Sequence, residues 1–167
     1  MSRRTKIISA ATLALFLCGP AQADKERGPV TNLPMPRFVS IKAKEANVRR
    51  GPSLSHRIDW VYKRPNLPVK VIAEYGHWRR IQDFEGAGGW IHYSLISGVR
   101  MAVVPDGTIE LRDKAQDYAP VSARLEEGVV ARLGKCTIDW CKLRAKGGEG
   151  WARKSTFWGV DPKETRD

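Results

Sequence analysis

The sequence predicts an all-β protein made of two small antiparallel barrels in tandem. Three observations predict it. Short runs of alternating apolar and polar residues recur at regular spacing between Gly and Pro breaks. The stretch from Val71 to Ile96 is loosely repeated from Leu133 to Trp158. No helix of any length can be placed after the first residues, because Pro120 interrupts the one candidate, Ala115 to Leu125.

The N-terminus reads as a leader, not as fold. Arg3, Arg4 and Lys6 form a basic start, Ile7 to Leu17 is an apolar run, and Ala21-Gln22-Ala23 is a small-x-small cleavage site. This is the pattern of a secretory signal peptide, 1–23, removed after Ala23. The run is too short to span a bilayer, so no transmembrane span is expected in the mature chain. Cys18 follows Leu17 where a lipoprotein site would want a small residue.

Processing takes three of the 29 Lys and Arg and none of the 18 Asp and Glu, leaving a side-chain charge of about +8. Such a charge suits an anionic partner: a wall polymer, a lipid headgroup, a polysaccharide or nucleic acid. Export argues against nucleic acid. Two cysteines survive, Cys136 and Cys141. An exported chain meets an oxidising compartment, so they are expected to form a structural disulfide across the turn Thr137 to Trp140.

Residues 24–36, with Pro29, Pro34 and Pro36, predict an extended, poorly ordered lead-in. The first unit follows over 37–99. Ala46-Asn47-Val48-Arg49 alternates as a half-buried strand, and Gly51-Pro52-Ser53 stops it. Val69 to Glu74 is a strand, Tyr75-Gly76-His77 a tight turn, and Trp78 to Gln82 the return. Gly86 to Gly89 turns again into Trp90-Ile91-His92. The second unit covers 100–160, with 161–167 as a tail. Trp78 matches Trp140, Ile81 matches Leu143, Trp90 matches Trp151, and Ser94-Leu95 matches Thr156-Phe157. Recurrence predicts a packing role for the four tryptophans, in the core of each unit.

Asn47-Val48-Arg49, Gly51-Pro52-Ser53, Trp78-Arg79-Arg80-Ile81 and Gly89-Trp90-Ile91 resemble the signature of the bacterial SH3 domain. The wording is similar to exported proteobacterial proteins with two such domains. The second copy departs from it: Ile109-Glu110-Leu111-Arg112 replaces the Asn-Val-Arg opening, and the Gly-Pro-Ser loop is absent. The resemblance implies two five-stranded SH3-like barrels, a binding module rather than an enzyme, and a periplasmic address. It also implies partners such as peptidoglycan or an envelope protein.

Four residues of the first unit are candidates for ligand contact. Arg49 and Arg50 point to opposite faces of a strand, so one covers the barrel while the other can meet a carboxylate or phosphate. Trp60 and Tyr62 lie on one strand face, and the second unit has Ser122 and Arg124 near there. They either line a groove for a peptide or sugar ring or pack between the units. No cofactor and no metal site is expected, since His56, His77 and His92 are scattered without ligand spacing. Asp83 with Glu85, and Glu126 with Glu127, fall in turns with no apolar pocket to raise one carboxyl for glycan cleavage.

Overall fold

The computed structural model describes residues 26–167, so the leader with its Cys18 and the cleavage site after Ala23 lie outside the described residues. Among those residues there is no α-helix, and no helix long and apolar enough to cross a membrane. The chain is all-β, with two sheets in succession.

The first sheet holds β1 (Arg37–Ile41), β2 (Ala46–Arg49), β3 (Ile58–Tyr62), β4 (Pro68–Tyr75), β5 (Trp78–Gln82), β6 (Gly88–His92) and β7 (Ile96–Ser97), in the order β3-β2-β6-β5-β4-β1-β7. The second holds β8 (Met101–Val103), β9 (Thr108–Arg112), β10 (Val121–Glu126), β11 (Val130–Cys136), β12 (Trp140–Ala145) and β13 (Gly148–Arg153), in the order β10-β9-β13-β12-β11-β8. Every neighbouring pair is antiparallel. Orders of this kind suit closure into small barrels. β2 and β5 run where alternation places them, while β4 extends one residue beyond Val69–Glu74 at each end and β6 begins at Gly88, inside the expected turn.

The two sheets align residue by residue. Arg49 pairs with Trp90, as Arg112 pairs with Trp151. Trp78 pairs with His92, as Trp140 pairs with Arg153. A short 3₁₀ turn follows in each, Tyr93–Leu95 and Lys154–Thr156. Three residues past each matched tryptophan, this turn equates Ser94 with Ser155, not with Thr156 as repeat matching suggests. One glycine is fixed by the shared geometry. A Cβ on Gly89 would sit 2.7 Å from the Arg49 carbonyl oxygen, and one on Gly150 would sit 2.9 Å from that of Arg112. The Gly-Trp pair of each copy therefore follows from close approach of two strands.

Each domain has its own aliphatic core. Val48, Val69, Val71, Ile81 and Ile91 fill the first; Ile109, Leu111, Leu125, Leu133, Leu143 and Ala152 fill the second. This corrects the expectation for the tryptophans. Ile91 and Ala152 take the inward position, so period-two alternation turns Trp90 and Trp151 outward, where both are half-buried. Trp78 is half-buried as well. Trp140 alone of the four is buried, with the Arg153 guanidinium 4.8 Å from its ring centroid.

Both ends of the described segment are tied down, which corrects the loose lead-in over its described residues, 26–36. Arg27 bridges Pro34, and Gly28 N–H donates to the Leu33 carbonyl at 2.8 Å. At the other end Cys136 and Arg166 exchange backbone bonds of 2.9 and 3.0 Å, and Arg100 forks onto Glu164 at 2.6 and 3.0 Å. The domains meet where Phe38 packs edge-on against Trp158, centroids 4.8 Å apart. The Lys70 ammonium caps both rings, and Arg64 donates to the Gly128 carbonyl.

Candidate functional site

The last residue of β2, the loop from Arg50 to Arg57 and the strand after it carry all four sequence candidates, and they meet different fates. Arg49 is a clamp. Its Nη1 donates to the Leu54 carbonyl at 3.0 Å and to that of His56 at 2.7 Å, closing the loop that follows its strand. Arg112 does the same in the second domain, donating to the Ala119 carbonyl at 2.7 Å. The recurrence marks a structural job.

Arg50 is exposed and bonds Asp59 at 3.1 Å, while Arg57 bonds the same carboxylate at 2.7 Å. Those two guanidinium bonds hold the Asp59 carboxyl below its ordinary range. Trp60 is open to solvent, 46% exposed. Tyr62 is not: it is 5% exposed, and its hydroxyl donates to Asp83 at 2.7 Å. Burial first, and then the Asp83 carboxylate, push the Tyr62 phenol well above its ordinary range. The rings of Trp60 and Tyr62 lie 6.1 Å apart, so the pair shares a face but not an environment.

Register explains the misreading of Tyr62. Val48 pairs with Trp60 and Leu111 with Ala123. The counterparts of Trp60 and Tyr62 are therefore Ala123 and Leu125, not Ser122 and Arg124. Leu125 is buried. The position of Tyr62 is core in both domains; only the residue type differs.

Asp83 also accepts from the backbone N–H of Glu85 and Ala87, at 3.1 and 2.8 Å. It is a turn anchor. Cys136 and Cys141 form the expected disulfide across the β11–β12 hairpin. Among the described residues no group of three or more His, Cys, Asp or Glu is placed to hold a metal ion.

The structure assembles a surface that sequence spacing did not. Trp78, His92, Tyr93 and His77 form a chain of rings, with successive centroids 5.5, 4.9 and 5.6 Å apart. His77 is exposed, and Tyr93 is 50% exposed. The Tyr93 backbone N–H donates to the His77 carbonyl at 2.9 Å, and His92 Nδ1 meets the Ser94 hydroxyl at 2.8 Å. These bonds fix the rings against the turn. His77 and His92 lie 15 residues apart in sequence; only the Trp78–His92 register brings their rings to 5.9 Å. The second domain has no such chain. Arg153 stands for His92, Lys154 for Tyr93 and Asp139 for His77, and Arg153 also bonds Asp117.

Two small antiparallel sheets stand in tandem, and the first carries an open ring surface. The chain belongs to the bacterial SH3 domain family: that family's model matches residues 42–98 and 106–159. Among curated proteins none matches the chain. Among solved structures it is similar to NlpC2 from Trichomonas vaginalis, with 7% identity and a TM-score of 0.35, over 75% of this chain and 50% of that one.

Proposed function

We propose that the protein is a non-enzymatic binding module of the cell envelope, acting in the periplasm and holding peptidoglycan or another anionic or peptide wall component. Bacterial SH3 domains are commonly wall-binding modules, and this chain carries two. The observation that carries the reading is the ring chain Trp78–His92–Tyr93–His77 on the more basic domain. Residues 37–99 hold 11 Lys and Arg against 5 Asp and Glu; residues 100–160 hold 11 against 8. Exposed rings stack on the apolar faces of sugars and peptide groups, while surrounding cations draw an anionic polymer to them. Of the groups that would suggest hydrolysis, Asp83 is held in its turn, and Cys136 and Cys141 are bonded to each other.

Co-sedimentation of the purified protein with sacculi across a salt series tests this. Retention at low salt that falls steeply as salt rises is expected. His77→Ala with Tyr93→Ala should lower it at least several-fold. Absence of retention at every salt concentration would end the reading.

A further inference from the structure

β3 stands at the end of the first sheet and pairs on one side only, with β2. Its first four residues are all exposed. Ile58, Trp60 and Val61 are 40, 46 and 37% exposed, and Leu54 in the preceding loop is 76% exposed. An edge this apolar is a template for another strand unless it is blunted by charge, Pro or a cover. The one charge within it, Asp59, is already matched by Arg50 and Arg57. The edge strand of the second domain, β10, is built otherwise. Ser122, Arg124 and Glu126 are exposed along it, with charges of both signs. The two domains thus differ in whether the same edge is open.

We propose that β3 is a docking edge for an extended protein segment with acidic flanks, which adds to the first sheet as its outermost strand. Charge selects the occupant. Arg50 and Arg57 stand at one end of the strand, and Lys63 and Arg64 follow at the other. A strand with apolar or Thr side chains in its middle and Glu or Asp at both ends satisfies both ends at once. A second copy of this chain does not: antiparallel pairing of β3 with β3 sets Arg57 of each copy toward Lys63 of the other, like charges that oppose the pairing. Backbone bonds along β3 supply affinity, and Trp60 and Val61 supply contact on the two sides of the incoming strand.

The test uses fluorescein-labelled peptides with the core Val-Thr-Val-Thr-Val, flanked by Glu-Glu, Ser-Ser or Lys-Lys, read by anisotropy with the purified protein. The Glu-flanked peptide should bind at least tenfold tighter than the Lys-flanked one. Methylating its alternate backbone nitrogens should weaken it at least tenfold. Val61→Lys should do the same with the melting temperature nearly unchanged, and should leave retention on sacculi intact. If Val61→Lys fails to fold, Trp60→Thr serves in its place. Equal affinity for Glu and Lys flanks, binding indifferent to N-methylation, or binding by none of the peptides would overturn the proposal. So would a concentration-dependent dimer that Val61→Lys dissolves, since the occupant would then be a second copy.

Discussion

Glu74 and Arg79 face each other across the β4–β5 hairpin; Cys136 and Cys141 face each other at the matching place across β11–β12. The match follows from Trp78 and Trp140, which immediately precede Arg79 and Cys141. One cross-strand position is thus closed by an ion pair in the first domain and by a covalent bond in the second. The ion pair is buried, with the Glu74 side chain wholly shielded and that of Arg79 8% exposed. Buried charge is costly unless its bonding capacity is filled. Glu74 fills it from several directions. It accepts from the backbone N–H of Val30 and Thr31, from the Thr31 hydroxyl at 2.7 Å and from Arg37 at 2.6 Å, with Arg79 at 3.4 Å. Val30 and Thr31 are held against β4 by this carboxylate. The disulfide needs none, and leaves the Cys136 backbone free to pair with Arg166. Each hairpin anchors one end of the described segment, by different chemistry.

Removing the carboxylate is the harshest way to break this comparison. Glu74→Ala leaves the buried Arg79 and the half-buried Arg37 without their acid, so it should cost about 3–5 kcal/mol. Urea midpoints give the size. Hydrogen exchange gives the place: protection should fall in residues 27–34 and in β1, β4 and β5, with β11 and β12 nearly untouched. A loss spread evenly over both domains would mean that the hairpins are not independent anchors.

Acid should act on one hairpin and spare the other. Burial alone would raise the Glu74 carboxyl, but hydrogen bonds from Thr31, Arg37 and Val30 outweigh it and bring it from the ordinary 4.5 down to about 2. The folded value lies below the unfolded one. The stabilisation is therefore complete above about pH 4.5 and is lost as pH falls through about 2. The gap corresponds to about 3 kcal/mol by linkage. Urea midpoints at pH 7, 4 and 2.5 should decline in the native protein more steeply than in Glu74→Gln. Parallel slopes would show that Glu74 is not the acid-sensitive group.

Breaking the disulfide should cost less. It closes a very short loop, and chain entropy gives about 2 kcal/mol. The paired change Cys136→Ser and Cys141→Ser should lower the urea midpoint accordingly and loosen the tail around Arg166. A cost above that of Glu74→Ala would reverse the ranking of the two anchors.

Much of the fold was legible in the sequence, and the reasons are physical. Alternation and turn glycines are local, so β2, β5 and the hairpin of Cys136 and Cys141 could be placed from neighbours alone. The tryptophans could not. Which side of a strand faces inward depends on its partner, and Ile91 and Ala152 won that side. Long-range donors were invisible too: nothing near Glu74 in sequence announces that Thr31 will reach it. The ring chain shares this cause, since Trp78 and His92 belong to different strands and only register joins them. The reading of Tyr62 failed for a subtler reason. An aromatic pair found in one copy only need not lie outside the shared fold, because a core position can keep its place while changing its residue.

That position supplies the finest comparison between the domains. Tyr62 reaches Asp83 with its hydroxyl, whereas Leu125 in the second domain packs in an apolar cluster with Ala145 at its edge. One core carries a polar strut where the other is greasy throughout. Tyr62→Phe keeps the ring and removes one donor, and Asp83 retains the N–H groups of Glu85 and Ala87. The cost should therefore be about 1 kcal/mol, near the net value of a single hydrogen bond. Asp83→Ala should cost more, because it strips the turn of its anchor as well as leaving the Tyr62 hydroxyl only the more distant Ala87 carbonyl, at 3.5 Å. Alkaline titration followed by phenolate absorbance adds a second view: this phenol should stay neutral above the ordinary tyrosine range, until the domain itself unfolds. If Tyr62→Phe proves neutral or stabilising, the strut is dispensable, and the first core would tolerate the apolar solution that the second already uses.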